Sequence, residues 1–194
     1  MNLLDRITIL IRLNYNQLGI NLSKELEYKL NQMFPFLKPT LIYDGDVTKV
    51  SLKDLKNLAV EGLILDLDNT IMAPKSARLE PHVQPWMELM KKNFKIVVLT
   101  NNKKAFYLEA VKQVLDLPVI GFAKKPWSFG VHEALEILKL QNDKIAVIGD
   151  RPLTDTWLGQ RFGFKTILVR ALTADIEPRW KYILRKLEWS FVKR

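Results

Sequence analysis

Short apolar runs alternate with segments of helical periodicity through the middle of this 194-residue chain. The runs are nearly continuous in Val, Ile and Leu, which is typical of strands buried on both faces of a parallel sheet. Each run is short and is followed by polar residues, so we predict a strand in each. They lie within residues 61–68, 94–100, 117–123, 144–150 and 165–170.

The segments between these runs carry apolar residues at the spacing of a helix. This pattern predicts helices at 83–92, 103–115 and 129–140, each with one apolar face turned to the core. In the second of them, the predicted apolar stripe includes Phe106 and Val111.

Strands and helices that alternate in this way predict a doubly wound, Rossmann-like α/β fold around a parallel sheet. We expect a helical segment at 1–36, the α/β core at 37–176 and a basic amphipathic helix at 177–194. No apolar run is long enough to span a bilayer, so we predict no transmembrane segment.

Polar side chains follow the predicted strands where each strand ends. In open parallel sheets, ligands bind beyond the carboxyl ends of the strands, near the point where the strand order reverses. The pattern therefore indicates a chemical site at one edge of the sheet. The residues brought to this edge are Asp66, Asp68, Thr100, Asn101, Lys124, Lys125 and Asp150.

The acidic residues of this edge predict a metal site. Asp66, Asp68, Asp150 and the nearby Asp155 would repel one another unless a cation lies among them or one of them is protonated. Carboxylates and substrate phosphate are the ligands that Mg²⁺ prefers. The chain has no Cys and two His, which disfavours zinc.

The remaining residues of this edge suit an anionic substrate. Thr100 and the backbone N–H groups after it can hydrogen-bond phosphate oxygens, and Lys125 supplies a positive charge. Metal, anion-binding groups and an acid or base are the components of phosphoryl transfer, and Asp is a known nucleophile in that chemistry.

Four segments resemble the motifs of the haloacid-dehalogenase-like (HAD) phosphatases, in the order in which that family carries them. LDLDNT resembles motif I, D-x-D-x-T, through Asp66, Asp68 and Thr70. VVLTNN resembles motif II through Thr100, AKKP resembles the lysine motif III, and GDRPLTD resembles motif IV.

The resemblance implies a role for each matched residue. Asp66 would be the nucleophile and a Mg²⁺ ligand. Asp68 would protonate the leaving group, activate water and give its backbone carbonyl to the metal. Lys125 would contact the phosphate, although its neighbour in AKKP is an alternative. Asp150 would be a further metal ligand, and Asp155 would support it in the metal site.

The motif spacing leaves no room for the cap domain that many HAD enzymes carry. Only residues 67–99 separate Asp66 from Thr100, and only residues 101–124 separate Thr100 from Lys125. The capless form resembles subclass IIIA, which contains the phosphatidylglycerophosphate (PGP) phosphatases. The resemblance implies a phosphoric monoester hydrolase that converts PGP to phosphatidylglycerol in phospholipid biosynthesis.

Four polar residues near the motifs are candidates for substrate binding. Thr70 and Asn101 lie within motifs I and II, and Lys75 and Arg78 lie in the flap after motif I. For the two flap residues, a role as solvated loop charges is the alternative.

The net charge of +9 suggests an anionic partner, either the phosphorylated lipid headgroup with an anionic membrane around it, or nucleic acid. The helix at 177–194 is basic and amphipathic, which is typical of a membrane-surface helix, but packing on the core explains the same pattern. The lack of Cys fits a reducing compartment, so we expect a cytoplasmic location, with peripheral contact on the inner face of a membrane as an option.

Two other functions are compatible with the sequence. The first is a HAD phosphatase that acts on a nucleic-acid terminus, a phosphoprotein or a small metabolite. The second is a non-catalytic scaffold that binds anions, although such a protein would be expected to lose at least one motif. The sequence does not predict the oligomeric state.

Overall fold

The computed structural model describes residues 37–173, 179–190 and 192. The predicted segment 1–36 lies outside them. The strands among the described residues are β1 (Leu41–Ile42), β2 (Gly62–Leu65), β3 (Lys95–Leu99), β4 (Val119–Ile120), β5 (Ile145–Gly149) and β6 (Lys165–Leu168). They form one sheet in the order β1-β6-β5-β2-β3-β4, and every neighbouring pair is parallel.

Helices cover both faces of this sheet, which confirms the predicted doubly wound α/β fold. A π-helical turn at Pro152–Thr156 leads directly into one of them. The helices are α1 (Leu52–Asn57), α2 (Gln84–Asn93), α3 (Ala105–Leu115), α4 (Val131–Leu138), α5 (Trp157–Arg161) and α6 (Arg179–Ser190). None of the described helices is long and apolar enough to cross a membrane.

The stretch 66–125 is fully described and contains α2, β3, α3 and β4 without an inserted domain. Between the first three motifs, this described stretch therefore holds only elements of the core and no cap domain. The edge of the sheet beyond β2 is not covered by a second domain from this stretch.

Strands β2 to β6 lie within the five apolar runs that predicted them. These runs are almost continuously apolar because the strands are covered on both faces of the sheet. Leu63 and Leu65 of β2 belong to the core cluster that includes α2 and α3 residues. Ile64 between them belongs to the cluster on the opposite face, with Val131 and Leu138 of α4. A strand covered on both faces needs apolar residues at every position, which accounts for the missing alternation.

Strand β1 was not predicted. It has two residues, Leu41 and Ile42, which pair with Ile167 and Leu168 at the edge of the sheet. So short an element has no periodicity to detect, and its hydrogen bonds to β6 define it as a strand.

The predicted phase of α3 is wrong at Phe106. Its side chain is 93% exposed, whereas Val111 and Leu115 are fully buried. The inward face instead continues from these residues to the partly buried Tyr107, which packs against the same cluster. Positions 107, 111 and 115 follow i, i+4 and i+8, but a tyrosine carries a weaker apolar signal than the phenylalanine before it.

The strand order determines where the site lies on the sheet. Strand β2 lies between β3 and β5, and the chain builds the sheet outward from β2 in opposite directions. The carboxyl ends of β2 and β5 therefore flank the crevice at which such sheets bind ligands. Asp66 directly follows β2, and Asp150 directly follows β5.

One buried hydrogen bond outside the site offers a test of this packing. Trp86 of α2 donates from Nε1 to the carbonyl oxygen of Val50 at 2.8 Å, in a buried setting. Trp86→Phe leaves that carbonyl without its donor, so we expect the free energy of unfolding in urea to fall by about 1–3 kcal/mol.

Trp127→Phe is the matched control, because Trp127 is 48% exposed. We expect a change within about 0.5 kcal/mol for this exposed position. Equal losses in the two variants would contradict the assignment of Trp86 to the core.

Candidate active site

A cavity of about 230 Å³ opens at the carboxyl ends of β2, β3 and β5. Residues from every predicted motif line it, together with two residues from α6. The lining residues are Asp66, Asp68, Asn69, Thr100, Asn101, Asn102, Lys125, Arg151, Thr154, Leu184 and Arg185.

Three buried carboxylates form the acidic centre of this cavity. Asp66, Asp150 and Asp155 each place a carboxylate oxygen within 4.8 Å of the others. Asp66 and Asp150 come from neighbouring strands, and Asp155 is returned to the same point by the π-helical turn after β5. Gly149 makes the return possible, because a Cβ at that position would lie 2.3 Å from the Asp155 carboxyl carbon.

Lys125 joins two of these carboxylates. Its Nζ donates to Asp66 Oδ1 at 2.5 Å and to Asp155 Oδ1 at 2.7 Å. Burial alone would lower the pKa of Lys125, but the attraction of Asp155 and Asp66 outweighs it and raises the pKa above the ordinary value. The ammonium group therefore stays charged in a buried place.

The neighbouring Lys124 faces away from the acids. Its Nζ lies 4.6 Å from the centre of the Phe122 ring and 4.4 Å from that of Phe129. Of the two lysines in AKKP, the structure brings Lys125 into the cavity.

Asp155 is held from both sides. Besides Lys125 at Oδ1, the backbone N–H of Arg151 donates to its Oδ2 at 3.2 Å. Burial raises the pKa of Asp155 to about 6, against the opposing attraction of Lys125. These two contacts hold Asp155 at the acidic centre, which fits the supporting role in the metal site.

Thr70 lies between the two strand-end acids. Its hydroxyl oxygen is 2.9 Å from Asp66 Oδ2 and 3.3 Å from Asp150 Oδ1. The turn that positions it has Asn69 at a φ of 72°, in the left-handed region, where Asn is among the better tolerated residues. Thr70 is thus placed to orient Asp66, and its role in substrate binding stays a prediction.

Asp68 lies apart from the acidic centre, although it is two residues from Asp66. Asn102 Nδ2 donates to its Oδ2 at 3.2 Å, and the Tyr107 hydroxyl donates to its Oδ1 at 3.0 Å. Burial and the negative charge of Asp68 raise the pKa of Tyr107, so the phenol stays a hydrogen-bond donor. The side chain of Asp68 is absent from the carboxylate cluster found among the described residues.

Asn102 and Tyr107 were not predicted as site residues. The second Asn of VVLTNN was a detectable signal for Asn102. Tyr107 was missed because the predicted phase of α3 turned Phe106, rather than Tyr107, toward the core.

The two residues of motif II have different surroundings. Thr100 is buried, and its hydroxyl accepts a hydrogen bond from the backbone N–H of Asn102 at 3.1 Å. Asn101 pairs with the backbone of Lys125, accepting from its N–H at 2.6 Å and donating to its carbonyl at 3.1 Å. Asn101 therefore fixes the lysine loop and still lines the cavity.

The two basic residues of the flap are not brought to the cavity. Lys75 and Arg78 are both exposed and are not among the residues that line it. The two arginines that line it, Arg151 and Arg185, were not predicted as site residues, whereas the lining lysine is the predicted Lys125.

Helix α6 forms one wall of the cavity through Leu184 and Arg185. The guanidinium group of Arg185 contacts the carboxylate of Asp150. Trp189 Nε1 donates to the Asp150 carbonyl at 3.1 Å, and the buried Glu188 pairs with Arg151. Four side chains of the predicted C-terminal helix, Leu184, Arg185, Glu188 and Trp189, thus pack on the site edge of the core, while Ile183 is 54% exposed.

The donor set fits a divalent metal ion with a preference for oxygen. Among the described side chains, the carboxylates of this centre outnumber the lysines and arginines that contact them, and neither His nor Cys lines the cavity. Asp66 and Asp150 offer side-chain oxygens next to each other at the strand ends, which is the arrangement that Mg²⁺ sites use.

The chain is similar to proteins that are named as phosphatases. The chain is 32% identical over 125 residues to "Probable phosphatase YqeG" of Bacillus subtilis, covering 64% of this chain and 72% of that protein. It is 30% identical over 196 residues to "Phosphatidylglycerophosphate phosphatase 1, chloroplastic" of Chlamydomonas reinhardtii, covering 95% of this chain and 70% of that one.

A solved structure from Legionella pneumophila, described as a HAD superfamily subfamily III A hydrolase, aligns with a TM-score of 0.43 at 18% identity. The alignment covers 71% of this chain and 86% of that one. The family model "Mitochondrial PGP phosphatase" matches residues 21–173, a range that includes all four motifs and ends before α6. The chain therefore belongs to the PGP phosphatase family and is a phosphoric monoester hydrolase.

Proposed function

We propose that this protein is a Mg²⁺-dependent phosphatase that removes the terminal phosphate of phosphatidylglycerophosphate through an aspartyl-phosphate on Asp66. The observation that carries the proposal is the separation of two nearby carboxylates into different environments. Asp66 lies against Lys125 in the acidic centre, whereas Asp68 is held by neutral donors beside it. Neighbouring carboxyl groups in different environments are suited to different roles in one reaction.

Asp66 is the proposed nucleophile. Lys125 at Oδ1 and the Thr70 hydroxyl at Oδ2 fix its carboxylate, so that its direction is set before substrate arrives. One carboxylate oxygen attacks the phosphorus atom, and the bond from phosphorus to the leaving alcohol oxygen breaks. Lys125 remains protonated and reduces the repulsion between the carboxylate and the incoming phosphate.

Asp68 is the proposed acid and base. It gives a proton to the leaving alcohol oxygen and then takes one from the water that hydrolyses the aspartyl-phosphate. Asn102 and Tyr107 hold its carboxyl group at the cavity and away from the acidic centre. The carboxyl group of Asp68 is therefore separate from the contacts that hold the acidic centre.

Asp66 and Asp150 are the side chains proposed to hold Mg²⁺, together with the backbone carbonyl of Asp68. Asp155 supports them by fixing Lys125 and the start of the turn at Arg151. A bound Mg²⁺ neutralises phosphate charge and orients the phosphate for displacement.

The lipid substrate is supported by the names of the relatives and by two arginine side chains of the cavity. The relatives from Chlamydomonas reinhardtii and Arabidopsis thaliana are named as phosphatidylglycerophosphate phosphatases. PGP carries a phosphodiester besides the phosphate that is removed, and guanidinium groups bind such oxygens well. Arg151 and Arg185 supply two guanidinium groups at the cavity wall.

A substrate panel tests the activity. The purified protein with Mg²⁺ is given short-chain PGP, a 3′-phosphorylated oligonucleotide and p-nitrophenyl phosphate, and phosphate release is measured. We expect the highest kcat/KM for PGP, loss of turnover in EDTA, and no turnover by Asp66→Asn. Comparable kcat/KM for the oligonucleotide would contradict the lipid assignment, and inactivity on every substrate would contradict phosphatase function.

Gly149→Ala tests the close approach at the end of β5. The added Cβ would lie 2.3 Å from the Asp155 carboxyl carbon, so Asp155 must move and Lys125 with it. We expect kcat to fall about 100-fold, as small displacements of catalytic groups do. In the control Gly45→Ala, the new Cβ meets the flexible Lys49 side chain at 2.6 Å, which can turn away. An unchanged kcat in Gly149→Ala would show that catalysis does not depend on the close approach of Gly149 and Asp155.

Arg185→Gln tests the role of α6 in binding the phosphodiester. We expect KM for PGP to rise about 10- to 100-fold, the range for losing a charge-assisted contact. The rise should be much smaller for p-nitrophenyl phosphate, which has no second phosphate. Lys186→Gln is the control, since Lys186 is exposed and does not line the cavity. Equal effects on both substrates would mean that Arg185 acts through Asp150 instead.

A further inference from the structure

Exposed aromatic side chains are confined to one edge of the described structure. Among the described side chains, the exposed Phe and Trp residues all follow the carboxyl ends of β3 and β4. This is the edge that carries the cavity. We call the set the aromatic rim, and its members are Phe106 (93% exposed), Phe122 (48%), Trp127 (48%) and Phe129 (68%).

Three of the four members belong to the loop that delivers Lys125. The rings of Phe122 and Phe129 meet edge to face, with their centres 6.5 Å apart. Trp127 packs against Trp157 at 5.9 Å between ring centres. The exposed aromatic surface is therefore built on the same short segment as the buried catalytic lysine, and its place relative to the cavity is fixed.

Positive charges are interleaved with these rings. Lys124 Nζ lies over both Phe122 and Phe129, and the guanidinium group of Arg161 lies 5.2 Å from the Trp127 ring centre. Lys103 and Lys104, just before Phe106, are also exposed. Aromatic rings next to cations are suited to the boundary between lipid chains and anionic headgroups.

Single exposed apolar residues are ordinary on soluble proteins. Leu89 of α2 and Ile137 of α4 are examples, with 43% and 40% exposure, and each lies on a helix outside the cavity. The rim differs because Phe122 and Phe129 contact each other, cations lie over its rings, and three of its members share the loop that brings Lys125 to the cavity. Grouped exposure of this kind marks an interaction surface.

We propose that the aromatic rim is the surface on which this protein rests against an anionic lipid bilayer. The rings enter the interfacial layer, and the lysine and arginine side chains meet lipid phosphates. The cavity then faces the headgroups, so a lipid phosphate reaches Asp66 while its acyl chains stay in the membrane. The inference rests on the proposed function for its choice of a lipid partner, but binding is measurable without turnover.

Vesicle co-sedimentation of the 194-residue chain tests the proposal. The vesicles contain phosphatidylglycerol and phosphatidylcholine, without PGP, so that no reaction takes place. The rim variant is Phe122→Ser with Phe129→Ser, and the control is Leu89→Ser with Ile137→Ser, which removes apolar groups of similar exposure elsewhere. We expect the partition coefficient of the rim variant to fall about tenfold or more, since two buried rings are lost. The control should bind as the unchanged protein does.

Two further measurements make the result specific. Hydrolysis of p-nitrophenyl phosphate should be the same in the rim variant as in the unchanged protein, because neither phenylalanine belongs to the catalytic machinery. Lys124→Gln should weaken binding to the anionic vesicles and leave binding to pure phosphatidylcholine vesicles unchanged, which supports headgroup recognition by this lysine.

Unchanged vesicle binding by the rim variant would overturn the proposal, and so would an equal loss in the control. A rim variant that keeps its vesicle binding but changes its sedimentation coefficient would assign the surface to a second copy of the chain instead. Rim-dependent binding by a protein that does not hydrolyse PGP would uphold the surface and reject the proposed substrate.

Discussion

The contact of Lys125 with Asp66 and Asp155 is the interaction on which the rest of the site depends. Carboxylates buried within 4.8 Å of one another repel strongly and lose hydration, so a compact acidic centre needs cations among its members. The ammonium group lies 2.5 Å from one carboxylate and 2.7 Å from the other, and their attraction keeps it charged despite burial. This arrangement leaves Asp66 oriented beside a strand end that also presents Asp150.

The fold brings these groups together from distant parts of the chain. The parallel sheet delivers Asp66 and Asp150 from neighbouring strands, the loop after β4 delivers Lys125, and the turn after β5 returns Asp155. No cap is inserted within the described stretch 66–125, so the cavity takes part of its wall from α6. An enzyme of this design has an accessible site, which agrees with a substrate that stays anchored in a larger surface.

Much of the site could be predicted from the sequence because each motif follows a strand whose apolar run is unmistakable. The strand ends fix where such residues meet. The contacts that cross between elements were not predictable in this way. Arg185 meets Asp150 only because α6 packs against the turn after β5, and a basic amphipathic pattern is the same whether a helix covers protein or lipid. Tyr107 was missed because Phe106 beside it has the stronger apolar signal, although the Phe106 side chain is exposed.

The most direct test of the account is to identify the residue that carries phosphate during turnover. The Asp68→Asn variant should form the aspartyl-phosphate from an activated ester such as p-nitrophenyl phosphate but hydrolyse it slowly, because its base is lost. Acid quenching followed by peptide mass spectrometry should then find phosphate on Asp66, and none in Asp68→Asn combined with Asp66→Asn. Phosphate on another residue, or turnover by Asp66→Asn at the rate of the unchanged protein, would contradict the account.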